Sequence, residues 1–425
     1  MTAPESLARR LGAGDAVFIG LGSMIGAGVF SAFAPAAASA GSWLLLGLLI
    51  AGVVAFCNAT SSAQLAAAYP RAGGSYLYGR ERLGEWWGFL AGWSFVVGKA
   101  ASCAAMALVF ATYVAPDGWE RPAAAVAVLA LAAVNYVGVT RTALLARVIV
   151  VVVLVCLGVA LAAASAPGLP ELDGLSVGTD PGPLGVLQSA GLLFFAFAGY
   201  ARIATMGEEV RDPARAIPRA IVLALAIAVA LYAVVAVVLL GALGPDVLAA
   251  STTPVLDAAE AGGAGWVGPV VRVGAALAAL GALLGLIAGI GRTGLAMARN
   301  DDLPRWLSAV HPRFHTPHRA EVVVAVVVVA LVLTVDLRGA IGFSSFGVLL
   351  YYVVANLAAI TQPVAQRRYP RALQVLGVVG CVLLVATLPG EAVLVGLGVL
   401  VVGVAYRLVA RYALRSKAAR RSTKA

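Results

Sequence analysis

The sequence predicts an all-α integral membrane protein with twelve transmembrane helices. Of its 425 residues, 61% are hydrophobic and 12% are charged, whereas soluble domains average roughly 25% charged residues. Apolar runs of about 20 residues, the length with which a helix crosses a bilayer, recur along the whole chain. The alternating ten-residue segments typical of a membrane β-barrel do not occur in the sequence. A helical membrane bundle is therefore the expected fold class.

The apolar runs give the expected boundaries of the twelve spans. They lie at residues 14–36, 41–66, 85–114, 122–139, 145–166, 184–206, 215–241, 267–298, 320–335, 340–361, 372–388 and 391–410. No Asp or Glu falls well inside any of them.

The distribution of Lys and Arg predicts the orientation, because cytoplasmic loops carry an excess of these residues. Nearly all 30 of them fall on one side of the predicted bundle. The exceptions are Arg121, Arg272 and Arg338 on the other side and Lys99, Arg202 and Arg292 inside spans. Both termini are therefore predicted to be cytoplasmic. The net charge of +10 reflects this topology, and we expect no nucleic-acid partner.

Two spans contain residues that weaken a helix. The first carries GLGSMIGAGVF at 20–30, with glycines at 20, 22, 26 and 28, and the sixth carries FFAFAGYARIATMGEEV at 194–210. A single GxxxG pair is typical of close helix packing, and this alternative applies to the first span. Interrupted segments at matching positions of two halves instead indicate an inverted-repeat transporter with its binding site at the midplane.

An interrupted helix provides the groups that bind an amino acid. The unpaired N–H and C=O groups cannot face lipid, so the break must face protein or a water-filled cavity. The N-terminus of a half-helix attracts a carboxylate, and the freed carbonyls accept hydrogen bonds from an ammonium group. A zwitterion can thus be bound without buried charged side chains.

Four motifs make the chain resemble the amino acid–polyamine–organocation superfamily of secondary transporters. They are GSMIGAGVF at 22–30, YPRAGGSYLYGRERLG at 69–84, EEVRDPARAIPRAI at 208–221 and GRTGLAMARNDDLPRWLSAVHPRFHTPHRA at 291–320. The resemblance implies the leucine-transporter fold and alternating access. It divides the chain into a cytoplasmic N-terminus (1–13), a first five-helix repeat (14–166), an inverted second repeat (184–361), two peripheral helices (372–410) and a basic, disordered cytoplasmic tail (411–425).

The same resemblance implies where a small amino-acid substrate would bind. Its carboxylate would meet the backbone N–H groups of Gly26, Ala27 and Gly28, and its amine would meet carbonyl groups of Met24, Phe195 and Ala198. Phe195 matches the aromatic gate position of the family. The implied site further includes Ile25, Gly199 and Phe197, the last of which has core packing as its alternative role.

Lys99, in the middle of the third span, is the candidate for proton coupling. A buried lysine can lose its proton near neutral pH, whereas arginine stays charged, and this position matches a span 3 site near the substrate in related transporters. Its alternative role is a lysine that reaches the membrane interface. Val153 replaces the span 5 lysine of some relatives, and residues 278–288 contain no hydroxyl group. We therefore expect protons or exchange, and the sequence argues against sodium.

Arg202 and the small residue before it, Ala201, bear on the charge of the substrate. Relatives often carry an acid at the position of Ala201, and its absence favours a neutral or anionic substrate over a cationic one. Alternatively, Arg202 pairs with Glu208 or Glu209 without touching substrate. Arg292 is expected to brace the adjacent loop.

Other chemistry finds little support in the sequence. The histidines of HPRFHTPH, at 311, 315 and 318, are separated by prolines that interrupt a metal-binding helix, so no metal is expected. The sequence has no phosphate-binding loop motif and no evident catalytic triad, which argues against an enzyme and against a cofactor. The alternatives to an amino acid transporter are a non-transporting membrane sensor or assembly partner, and a transporter of another amine or an organic anion. The oligomeric state is left open.

Overall fold

A computed structural model describes residues 11–70, 73–138, 143–166, 180–206 and 209–422. Within these ranges the regular structure is helical, apart from one isolated parallel bridge between Leu11 and Val210. The predicted all-α membrane fold class is thereby confirmed.

Eight α-helices lie in the described residues up to 166. They are α1 (Ala13–Met24), α2 (Ala27–Ser31), α3 (Phe33–Ala40), α4 (Leu44–Ala68), α5 (Gly74–Leu83), α6 (Glu85–Val114), α7 (Glu120–Tyr136) and α8 (Ala143–Ala164).

The ranges described from residue 180 onward contain nine more α-helices. They are α9 (Gly182–Phe197), α10 (Ala201–Ala204), α11 (Pro213–Ala250), α12 (Pro254–Ala261), α13 (Gly268–Arg299), α14 (His318–Thr334), α15 (Leu337–Ile360), α16 (Arg371–Thr387) and α17 (Gly390–Ser422). Gly244, with a φ of 70°, divides α11 where the chain leaves the apolar segment. The connection at 242–266 contains the short helix α12.

Among the described residues, nine helical segments are long and apolar enough to cross a membrane. Three further helices, α7, α14 and α16, have 17 residues each and occupy the other three predicted spans. At 1.5 Å per residue they reach about 25 Å, slightly less than the roughly 30 Å hydrocarbon core. The number twelve therefore stays a prediction, as does the division into two inverted repeats.

Helices in the middle of the bundle approach each other through small residues. A Cβ atom on Gly98 of α6 would lie only 3.0 Å from the Cα atom of Gly347 on α15, so the two backbones cross in direct contact. In contrast, side chains such as Leu49, Leu144 and Leu394 are exposed, as expected for faces that meet lipid.

The C-terminal tail differs from the prediction. Residues 411–425 were expected to be disordered, but α17 continues to Ser422. The tail sequence is rich in Ala, Arg and Lys, which are good helix formers, so the helix extends beyond its apolar segment. The predicted N-terminal segment lies almost entirely outside the described residues.

Candidate functional site

The helix of span 1 is broken where the glycine cluster predicts. α1 ends at Met24, Ile25 and Gly26 leave helical geometry, and α2 begins at Ala27. A Cβ atom on Gly26 would lie 2.8 Å from the Cβ of Ala282 on α13. The absence of a side chain therefore allows the break to pack directly against α13.

The interruption in span 6 is milder than predicted. α9 passes into a single 3₁₀ turn, Ala198–Tyr200, and then into α10, so the chain is not unwound between Gly182 and Ala204. A Cβ atom on Gly199 would lie 2.3 Å from the carbonyl group of Ser23. The absence of a side chain at Gly199 therefore allows this turn to cross closely over the break in span 1. Such a close crossing does not require span 6 to unwind.

Side chains from neighbouring helices bind the carbonyl groups at this crossing. The Tyr232 hydroxyl of α11 donates to the Met24 carbonyl oxygen at 2.6 Å and lies 3.0 Å from that of Ala196. The Lys99 ammonium of α6 donates to the carbonyl oxygen of Ala198 at 3.2 Å. Two of the carbonyls assigned to the substrate amine, those of Met24 and Ala198, are thus occupied by protein groups in this conformation.

Lys99 is held inside the bundle. Its side chain is 5% exposed, and its ammonium group bonds to span 6 rather than extending along α6 to the membrane interface. The interfacial role considered for this lysine therefore does not fit the structure.

A cavity of about 340 Å³ surrounds the Lys99–Ala198 contact and extends to the loops that precede α5 and α14. Five predicted site residues line it: Lys99, Phe195, Ala198, Gly199 and Arg202. Its volume is at the small end of the range for ligand pockets, roughly 300–1,000 Å³. The size suits a small molecule.

The remaining predicted site residues do not line this cavity. Gly26, Ala27 and Gly28 are buried. The side chains nearest to Gly26 are those of Ala282 and Met106, and both of these residues line the cavity. Met24 is buried at 1% exposure, and Ile25 lines a separate cavity. Phe197 packs on Tyr232 with 5.0 Å between ring centroids, which agrees with its alternative role in core packing.

Three lining residues that the sequence does not single out lie on one face of α6. Phe95, Ser102 and Met106 line the cavity together with Lys99. They lie four residues before and three and seven residues after it, which places them on the same face of a helix. Periodicity on α6 could have identified them once Lys99 had been chosen.

Arg202 and Arg292 both line the cavity, together with one acid, Glu209. Arg292 forms an ion pair with Glu209 at 3.4 Å, so it braces the segment after span 6. The Arg202 guanidinium lies 3.8 Å from the position that a Cβ atom would take on Gly289 of α13. Glu208, its other proposed partner, lies outside the described residues.

Comparisons with known proteins show what this chain is similar to. A family model described as amino acid permease matches residues 11–407. An uncharacterized transporter of Mycobacterium tuberculosis is 59% identical over 95% of this chain and 91% of its own length. A branched-chain amino acid permease of Bacillus subtilis is 26% identical over 92% of this chain and 87% of its own length. A chloroplastic cationic amino acid transporter of Arabidopsis thaliana is 29% identical, over 83% and 65% respectively.

Proposed function

The chain belongs to the amino acid permease family and is a membrane transporter rather than an enzyme, and from this premise we propose that it carries small neutral or anionic amino acids by alternating access, coupled to protons through Lys99. The observation that carries the proposal is the hydrogen bond from the buried Lys99 ammonium to the Ala198 carbonyl inside the cavity.

The charge of the cavity supports a substrate with a carboxylate. Among the described lining residues, the cations Lys99, Arg202 and Arg292 face the single acid Glu209. A positive, partly buried cavity attracts anions and disfavours a second cation. Although one relative is named for cationic amino acids, the lining of this cavity favours a neutral or anionic one.

The position of Lys99 supports proton coupling. Burial disfavours the charged form of a lysine, whereas a nearby substrate carboxylate favours it. Substrate and proton therefore bind cooperatively, and an inward proton gradient drives uptake. Lys99 also occupies the carbonyl of Ala198, so its release from span 6 changes how that span packs against α6.

The position of the cavity supports an inward-facing stage of the transport cycle. It extends to loops rich in Arg, which the charge distribution places in the cytoplasm. On the opposite side, the Tyr113 hydroxyl donates to the Phe30 carbonyl at 3.0 Å, and α12 packs against α2. This arrangement corresponds to an inward-facing conformation with both termini cytoplasmic.

The test is uptake of a panel of labelled amino acids into proteoliposomes, with and without an inward proton gradient. Lys99→Ala is expected to lose gradient-driven accumulation. Lys99→Arg, which stays charged, is the matched control and is expected to bind substrate while its uptake no longer responds to the gradient. Equal gradient-driven uptake by the native protein and Lys99→Ala would contradict proton coupling at Lys99. Absence of flux for every amino acid would contradict the substrate class.

A further inference from the structure

A second cavity of about 410 Å³ lies beside the first, between α1, α7, α8, α13 and the start of α14. The two cavities share six lining residues: Ser23, Arg202, Glu209, Gly285, Arg292 and His315. The ion pair between Arg292 and Glu209 therefore stands at the boundary between the two cavities.

The second cavity contains an acid that the proposed transport mechanism does not use. Glu321, in the first turn of α14, is 3% exposed and lines this cavity. Its Oε2 atom has no hydrogen-bond partner among the residues that the structure describes. A buried carboxylate without a partner is costly, whereas the neutral acid is tolerated. In the observed arrangement Glu321 is therefore expected to carry a proton.

The packing of Glu321 places it next to the residue before Arg292. A Cβ atom on Gly291 would lie 2.8 Å from the Cγ atom and 3.5 Å from the Oε1 atom of Glu321. The absence of a side chain at Gly291 thus allows the carboxyl group to lie against α13, at the turn that carries Arg292.

Few other charged groups surround this carboxyl group. Ionisable side chains that share its cavity are Arg202, Glu209, Arg292 and His315. On α14 itself His318 and Arg319 precede it, and on α7 the ring of Tyr136 contacts those of His311 and His318. The described part of α6, which also packs against α14, contributes no lining residue to this cavity. Trp306, in the short 3₁₀ helix beside α14, accepts from Arg319 through its carbonyl.

The Arg292–Glu209 pair is weak enough to exchange partners. Its distance is 3.4 Å and its side chains are 55% and 32% exposed, whereas strong charge-assisted bonds are about 2.7–2.9 Å long. Exposed ion pairs contribute little to stability. A second carboxylate near Arg292 can therefore compete with Glu209.

We propose that Glu321 is a proton-binding site whose charge determines whether Arg292 pairs with Glu209 or with Glu321. When Glu321 is protonated, Arg292 stays on Glu209, whose backbone carbonyl also accepts from the Leu11 N–H at 3.0 Å, so that the ends of spans 1, 6 and 8 are tied together. When Glu321 releases its proton to water in the cavity, its carboxylate draws Arg292 away and opens the boundary between the cavities.

This inference deepens the proposed function and rests on it for its role in the transport cycle, but the exchange of ion pairs requires no substrate. It can therefore be measured without transport. Ala288 lines the second cavity and takes no part in the proposed binding site. The native cysteines at 57, 103, 156 and 381 are buried, so an added cysteine can be followed separately by mass spectrometry of its peptide.

The experiment measures the rate at which a maleimide labels Ala288→Cys in the full-length protein as a function of pH, without substrate. The same measurement on Ala288→Cys combined with Glu321→Gln gives the intrinsic pH dependence of the thiol. The rate ratio of the first protein to the second is expected to rise several-fold from acidic to alkaline pH. A ratio that stays constant across the pH range would overturn the proposal.

A second variant keeps the proposal testable if Glu321→Gln does not fold. Glu209→Gln removes the partner of Arg292 directly, so labelling of Ala288→Cys should be fast even at acidic pH. The same slow labelling at acidic pH as with native Glu209 would contradict the role of the ion pair. Loss of amino-acid flux with the labelling pattern intact would contradict the proposed function but leave the proton site in place.

Discussion

The Tyr232 hydroxyl donates to the carbonyl oxygen of Met24 at 2.6 Å. Met24 is the last residue of α1, before the break in span 1. The same hydroxyl lies 3.0 Å from the Ala196 carbonyl oxygen in span 6. A side chain from α11 thus stabilises a backbone that lipid could not stabilise, because buried carbonyls require partners. The break is therefore stabilised by contacts among α1, α9 and α11, in addition to the glycine cluster.

Tyr232→Phe tests this dependence. The variant keeps the ring that packs on Phe197 but leaves the Met24 carbonyl without its donor. We expect a loss of about 1–3 kcal/mol in the free energy of unfolding, the typical cost of one unpaired buried group, and a lower affinity for substrate. Thermal unfolding in detergent and a binding titration measure the two effects.

Tyr113→Phe is the matched control for that experiment. Its hydroxyl donates to the Phe30 carbonyl at 3.0 Å, about one helical turn beyond the break. A comparable loss of stability with unchanged substrate affinity is expected. If both variants bind substrate like the native protein, the carbonyl of Met24 has no role in the site.

Gly199→Ala should separate the two interrupted spans. The added Cβ atom would lie 2.3 Å from the Ser23 carbonyl group and 2.5 Å from the Met24 nitrogen, so the backbones must move apart. We expect at least about a tenfold loss of uptake, since small displacements of a binding site have effects of this order or larger. Gly158→Ala, where a Cβ atom meets nothing within 4 Å, is the control and should transport normally. Normal uptake by Gly199→Ala would show that the crossing tolerates a wider spacing.

The sequence was most informative about the position of the break in span 1. Glycines at 20, 22, 26 and 28 predicted the break in span 1, because each of these weak helix formers adds to the cost of a continuous helix. The glycine of span 6 was less decisive, since Gly199 permits both an unwound segment and a close crossing, and only the position of Ser23 selects the second.

The lining of the cavity could be predicted only in part. Lys99 stood out because a charge is rare inside a span, but its partner, the Ala198 carbonyl, depends on how α6 meets span 6. Met106 and Ala282 are ordinary apolar residues in the sequence. Helical periodicity places Met106 on the face of Lys99, but only the packing of α6 and α13 against α2 puts Met106 and Ala282 between Gly26 and the cavity.

No pattern in the sequence predicts the contact between α17 and the loop after α13. Asp302 is 4% exposed, pairs with Arg407 at 2.7 Å and with Arg80 at 3.0 Å, and accepts from the Tyr76 hydroxyl at 2.8 Å. Burial and the neighbouring Asp302 carboxylate raise the pKa of the Tyr76 phenol, so it remains a donor at neutral pH. Because Tyr76 lines the cavity around Lys99, the cluster connects the peripheral helix to the proposed site.

Asp302→Asn should destabilise the protein strongly. It leaves the guanidinium of Arg407, whose side chain is 3% exposed, buried without its counter-charge, and breaking one side of a buried pair costs about 3–5 kcal/mol. Asp301→Asn is the control, because its ion pair with Arg305 lies on an exposed surface and its loss should not change the thermal midpoint measurably. Equal midpoints for the two variants would show that the buried cluster does not contribute to stability.

Met106→Ala should change which substrates are carried. The Met106 methyl group lies 3.6 Å from the position of a Cβ atom on Gly26, between the cavity and the first turn of α2. Removing the thioether extends the cavity toward the N–H groups of Ala27 and Gly28, to which the substrate carboxylate is assigned. We expect uptake of amino acids with larger side chains to rise relative to glycine and alanine, measured as the ratio of kcat/KM values. Ala27→Leu, which places a larger side chain in the buried first turn of α2, should have the opposite effect. If neither variant changes the ratio, the substrate binds on the Lys99 side of the cavity throughout the cycle.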